Sequence, residues 1–192
     1  MQLTVKGKQL DVGDALRNHV EQNLTDAAKK YFNNAIDATV VFSKEAGHLF
    51  KADISIHVGK GIMLKAHYAA DDPYPAFDQA SERVAGRMRR YKEKLKSHHK
   101  QLSETDYIEA AYYKLHNKET EKPEKEDPMI VAEMATTIQS MSPSEAVMRM
   151  DLADLPALMF RNSVNGGLNM IYRRSDGHIG WVDPEGNKNK EV

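Results

Sequence analysis

Apolar and polar residues alternate first with the period of a strand and then with that of a helix. Leu3-Thr4-Val5-Lys6 alternates in twos. Asp11, with Asp14 three positions on, resembles a capping box. Val12, Leu16, Val20, Leu24, Ala27 and Tyr31 follow at helical spacing and predict a helix ending near Lys30. Three β-like runs come next, Ala38 to Ser43, Ala52 to Val58 and Ile62 to Ala69, with Gly47 and Gly59-Lys60-Gly61 suiting the turns between them. Asp72-Pro73 reads as N-cap and first residue of a second helix that runs to about His98. The order β-α-β-β-β-α over residues 1–100 predicts an α+β domain, a sheet with two helices on one face.

Residues 101–128 change to Glu, Lys, Asp and Pro with no period sufficient for a core, which predicts a solvated, acidic linker. Inside it, Tyr107, Ile108, Ala111, Tyr112 and Leu115 fit one helical stripe, either a transient helix or a short docking motif. Short strands return over residues 129–185. Ile130 to Thr136 is the first, and Ser142-Pro143-Ser144-Glu145 opens a helix to about Met150. Ala157 to Arg161, Leu168 to Arg173 and His178 to Val182 follow, with Asp176-Gly177 as the last hairpin turn. A β-rich segment of about 55 residues is marginal on its own without disulfides or metal. Alternation puts Leu158 and Phe160 on one face, with Leu168, Met170 and Tyr172, then Ile179 and Trp181, on the strands that follow. That much apolar surface predicts an isologous pair of copies centred on Phe160.

Composition narrows the chemistry. The 192 residues contain no cysteine, which excludes disulfides, thiolate metal sites and cysteine nucleophiles. No apolar run approaches the roughly 20 residues of a membrane span, and MQLTVKGKQL has no apolar signal core, so a cytosolic protein without a membrane partner is expected. The net charge of −1 conceals a division. Residues 1–100 carry 17 Lys and Arg against 12 Asp and Glu, whereas residues 101–128 carry 4 against 8 and residues 129–192 carry 6 against 8. A polyanionic partner therefore belongs to the first hundred residues.

The second helix is where that charge is organised. Phe77, Ala80, Val84, Met88, Tyr91 and Leu95 form an apolar stripe. Arg83, Arg87, Arg90 and Lys94 line one flank, and Arg89, Lys92 and Lys96 the other. Two such ridges can straddle phosphates, which arginine also binds bidentately; the plain alternative is a solvated charged face. Lys29-Lys30 extends the basic surface. Catalytic patterns are weak. Gly59-Lys60-Gly61 lacks the spacing of a phosphate loop, and Asn165-Gly166-Gly167 is a turn. His57 and His67 could face each other across a hairpin, and His98-His99 are adjacent, but zinc needs three or four converging ligands. No enzyme, metal, cofactor or small-molecule substrate is expected; a hydrolase using His57 and His67 is the competing class.

The opening Met1-Gln2-Leu3-Thr4-Val5-Lys6-Gly7-Lys8, with Leu10-Asp11-Val12 and Ala15-Leu16, resembles the start of the bacterial ribosome hibernation promoting factors. Asp72-Pro73-Tyr74 with Ala76-Phe77-Asp78 before a basic helix is similar to the same family. Glu145-Ala146-Val147, Phe160-Arg161-Asn162 and Leu168-Asn169-Met170-Ile171-Tyr172-Arg173-Arg174 with Asp176-Gly177 and Gly180 resemble the C-terminal domain of its long form. The resemblance implies an N-terminal domain of double-stranded-RNA-binding-like fold in the mRNA and tRNA channel of the small ribosomal subunit, contacting ribosomal RNA and blocking translation. It also implies a C-terminal domain that pairs inactive ribosomes in starvation or stationary phase. Carried onto this chain, RNA contacts fall on Lys29, Lys30, Arg83, Arg87, Arg90 and Lys94, and homodimerisation on Leu158, Phe160, Met170, Tyr172 and Trp181. An RNA-binding regulator of free transcripts is the alternative.

Overall fold

The structure, a computed structural model, describes residues 2–31, 37–45, 48–58, 62–101, 107–115 and 130–185. Its elements are β1 (Gln2–Lys8), α1 (Asp14–Tyr31), β2 (Asp37–Lys44), β3 (Phe50–His57), β4 (Met63–Ala70), α2 (Pro73–Gln101), β5 (Tyr107–Leu115), β6 (Ile130–Met141), α3 (Pro143–Leu152), β7 (Ala157–Asn162), β8 (Leu168–Arg173) and β9 (Ile179–Val182). They form two compact units. The first joins Met1–Leu102 to Ser144–Leu158, and the second joins Ser103–Pro143 to Met159–Val192. The boundary drawn from the sequence at residue 129 does not coincide with these units, because Met148 and Leu152 of α3 belong to the same buried cluster as the N-terminal core.

In the first unit the strand order is β1-β2-β3-β4. β1 and β2 are parallel, as a helical crossover through α1 requires, and the other pairs are antiparallel. Period-two alternation buries Ala38, Val40 and Phe42 on β2, Ala52, Ile54 and Ile56 on β3, and Leu64 and Ala66 on β4. The helical period supplies the covering layer, with Leu16, Val20 and Leu24 from α1 and Phe77, Ala80, Val84 and Met88 from α2. Each large side chain so buried contributes roughly 1.5–3 kcal/mol.

The helix starts separate a cap that forms from one that does not. Asp72 Oδ1 accepts the Tyr74 N–H at 2.8 Å, and Pro73 is the first residue of α2. α1 begins at Asp14, so the expected capping box at Asp11 does not form; Gly13 O accepts the Arg17 N–H at 3.1 Å instead. Residues between β1 and α1 are taken up by a turn, with Gln9 at φ 59° and Gly7 so close to the Leu10 carbonyl that a Cβ would overlap it. The expected turns at Gly47 and Gly59-Lys60-Gly61 lie outside the described residues.

In the second unit the order is β5-β6-β7-β8-β9. The helical stripe expected at Tyr107, Ile108, Ala111, Tyr112 and Leu115 is instead strand β5, paired antiparallel with β6 from Tyr107↔Gln139 to Leu115↔Ile130. Aromatic and β-branched residues favour a pleated surface, and here cross-strand partners such as Ile108↔Ile138 and Tyr112↔Met134 outweigh the helical period. β6 and β7 run parallel and meet only at Ser140↔Arg161 and Met141↔Asn162. The Asp176-Gly177 turn is present, with Gly177 at φ 84° and Asp176 Oδ1 accepting the His178 N–H at 3.1 Å.

Candidate nucleic-acid interface

β4 is the outer strand of the first sheet, so it carries carbonyls that no neighbouring strand takes up. α2 packs on β3 and β4 and buries Val84 and Met88, which turns Arg83, Arg87 and Arg90 toward that open edge. Arg83 Nη1 donates to His67 O at 3.0 Å, and its guanidinium lies 4.7 Å above the centre of the Tyr68 ring. Arg87 Nη1 donates to Lys65 O. Sheet and helix together thus fix two guanidiniums, and Arg90 continues the row along α2, each with further donors for a phosphate. Lys65 and His67, exposed at alternate positions of β4, add to the same strip. Sequence reasoning left Lys65 and Tyr68 out, although the alternation in Ile62 to Ala69 already places Lys65 opposite the buried Leu64 and Ala66.

Lys30 is exposed at the end of α1, while the side chains of Lys29 and Lys94 lie outside the described residues. Arg89 is exposed on the other flank of α2. The arginine row also meets acids. Arg87 Nη2 donates to Asp154 Oδ1, Arg90 Nη1 pairs with Asp151 Oδ2 at 2.9 Å, and His67 Nδ1 is 3.4 Å from Asp154 Oδ2. Burial, reinforced by the charge of Asp151, pushes the Tyr91 hydroxyl above its ordinary value, against the opposing influence of Arg90.

His57 and His67 do not face each other. The register sets His57 opposite Met63 and His67 opposite Asp53, and His57 Nδ1 contacts Asp37 Oδ2 at 3.3 Å. Among the described residues no three His, Cys, Asp or Glu side chains converge on a point.

The self-association residues are not on one face. Ile171 is opposite Trp181 and Met170 opposite Val182, while Asn169 Oδ1 accepts from Asn162 Nδ2 at 3.3 Å and from Trp181 Nε1 at 2.8 Å. Leu158, Phe160 and Trp181 therefore share one side of the β7-β8-β9 sheet, with Met170 and Tyr172 on the other. Phe160 is 0% exposed, so the side chain expected at the centre of the interface is a core residue of the chain. The surface apolar groups on the other side are Met159, Leu168 and Val182, next to the half-buried Met170 and Tyr172. The hydrogen-bonded Asn162 and Asn169, polar residues facing inward, reverse the pattern on which the sequence assignment relied.

Residues 3–96 match the family model described as Sigma 54 modulation protein / S30EA ribosomal protein, and residues 125–180 match the model of its C terminus. A ribosome hibernation promotion factor of Rhizobium meliloti is 39% identical over 186 residues, 95% of this chain and 97% of the relative. One from Bradyrhizobium diazoefficiens is 36% identical over 197 residues, 98% of this chain and 97% of the relative. The chain belongs to the ribosome hibernation promotion factor family. The proteins of this family are not enzymes, which removes the hydrolase reading of His57 and His67. Among solved structures, the N-terminal domain of Protein Y from Thermus thermophilus matches 47% of this chain and 99% of its own, at 28% identity and a TM-score of 0.43.

Proposed function

We propose that this hibernation promotion factor binds the small ribosomal subunit in the mRNA and tRNA channel, blocks translation there, and pairs inactive ribosomes by self-association of its C-terminal sheet. The observation that carries the RNA-binding part is the row of Arg83, Arg87 and Arg90 along α2, the first two held on carbonyls of the open edge of β4. Structured RNA presents phosphates and 2′-hydroxyls, while its deep major groove resists side-chain readout. A fixed row of guanidiniums suits that surface, reading shape and charge more than sequence. Lys29, Lys30 and Lys94 extend the contact. The site of action is the cytoplasm in stationary phase or stress, with residues 1–100 serving RNA and residues 129–185 serving the homodimer.

The pairing surface is the side of β7-β8-β9 that carries Met159, Leu168, Met170, Tyr172 and Val182, the large apolar groups gathered there being suited to a two-fold contact. Sedimentation of purified ribosomes with the full chain tests both parts. Wild-type protein converts single ribosomes to pairs. Leu168→Asp stays with ribosomes but yields no pairs, whereas Arg83→Glu, Arg87→Glu and Arg90→Glu combined remains in the light fractions. Pairing by the first variant, or ribosome binding by the second, contradicts the corresponding half of the proposal.

A further inference from the structure

The acids that meet the arginine row come from the end of α3, far along the chain, and their geometry is specific. α3 ends with the Ala153 N–H on Arg149 O at 2.9 Å and the Leu155 N–H on Met150 O at 3.0 Å. Asp154 sits at φ 54°, the left-handed position after a helix where glycine or asparagine is usual. An aspartate there brings a carboxylate to both Arg87 and His67. One turn earlier, Asp151, 9% exposed, reaches Arg90. Beside these pairs, Met148 and Leu152 are buried as members of the core cluster of the first unit.

We infer that residues 144–158 act as an autoinhibitory mimic of RNA phosphate, holding Arg87 and Arg90 with Asp154 and Asp151 until ribosomal RNA displaces them. The inference rests on the assignment of RNA binding to the arginine row and goes beyond it to regulation. The two pairs differ in cover. Arg87 and Asp154 retain 17% and 24% side-chain exposure, so this pair withdraws its guanidinium from solvent. Arg90 keeps 63% and remains open to an encounter with RNA. An exposed ion pair is weak and screened by salt, so Arg90 is the place where RNA gains entry and Arg87 the one that must be released. Arg83 is held by the His67 carbonyl of β4, so it is positioned as an anchor in either state. Binding then carries a penalty set by the fraction of chains in the released state.

The test uses the full chain and purified small ribosomal subunits, with affinity measured by fluorescence anisotropy. Asp151→Asn and Asp154→Asn combined remove both charges, and asparagine suits the left-handed position, so the helix end is kept. The double variant binds roughly three- to tenfold more tightly than wild type, as release from a largely docked state requires. Hydrogen exchange supplies a readout independent of any substitution: amides of residues 144–158 in the wild-type chain exchange faster once subunits are added. Unchanged or weaker affinity of the double variant, or undiminished protection of that segment in the complex, overturns the mask. Failure of the underlying RNA face looks different, because the combined charge reversal of Arg83, Arg87 and Arg90 then leaves subunit binding intact.

Discussion

The two sheets of this chain solve the same problem in different ways. In the N-terminal sheet one face is buried residue by residue: Val40, Phe42, Ala52 and Leu64 are each 0% exposed, and helices α1 and α2 contribute to the same cluster. In the C-terminal sheet large apolar groups remain on the surface, among them Tyr107, Tyr112, Leu115, Met134, Leu168 and Trp181. An alternation that buries one set of residues under helices gives a unit complete in itself, whose outer charges are left to serve function. A sheet that leaves apolar residues in water has surface to contribute to another molecule. The difference separates the proposed tasks, with RNA bound by guanidiniums over a finished core and self-association left to the apolar sheet.

The comparison can be broken most sharply by truncation. Phe77→Ala is expected to destabilise the N-terminal unit by about 3–5 kcal/mol. Phe160→Ala should behave in the same way, since Phe160 is as buried as Phe77. Met159→Ala, half exposed, should alter stability by less than about 0.5 kcal/mol, its effect falling on association instead. Denaturant unfolding of the three full-length variants checks this. A Phe160→Ala chain as stable as wild type would return that residue to the surface.

A smaller effect sharpens the picture of the apolar side. A Cβ at Gly180 would overlap the ring of Tyr172, which lies directly across it. Gly180→Ala is therefore expected to displace that ring and destabilise the β8-β9 pair by roughly 1–3 kcal/mol. Thermal melting measures the loss, and Gly180→Ala with Tyr172→Ala should recover part of it.

The smallest effect concerns charge around α2. The Tyr91 hydroxyl is raised above its ordinary value of 10.0, first by burial and then by Asp151. A group whose folded value is raised contributes stability below its unfolded value and loses it as the pH climbs through the folded one. Between pH 10.0 and that raised value, wild-type chain should lose slightly more stability than Tyr91→Phe. Asp151→Asn should bring the Tyr91 titration, followed by NMR, down toward 10.0. An unmoved titration would place Asp151 away from Tyr91.

How far the residues alone disclosed this differs between the same two regions. Strict alternation and a clean helical stripe, Phe77-Ala80-Val84-Met88, marked the first sheet and α2, because there local period and tertiary burial agree. The arginine row was legible for the same reason: side chains flanking a buried stripe can only point along its margins. What stayed hidden depends on partners distant in sequence. Tyr107 to Leu115 carries a helical spacing, yet β6 makes it a strand. Asn162 and Asn169 look like surface residues until each is seen to satisfy the other, and with that the assumed face of Phe160 is reversed. Asp151 and Asp154 carry no local signal of their role, since nothing near them in sequence announces Arg90 and Arg87 some sixty positions earlier.

The central claim is that the Arg83-Arg87-Arg90 row is the RNA-binding face, and the salt dependence of binding to purified small ribosomal subunits tests it most directly. Each phosphate that is no longer neutralised makes the slope of log affinity against log salt shallower by about one. The full chain carrying Arg83→Gln, Arg87→Gln and Arg90→Gln should bind far more weakly than wild type, with a slope shallower by about two to three, while still melting cooperatively as a folded chain. A variant with wild-type affinity and wild-type slope would contradict the account and place the RNA-binding surface elsewhere on the chain.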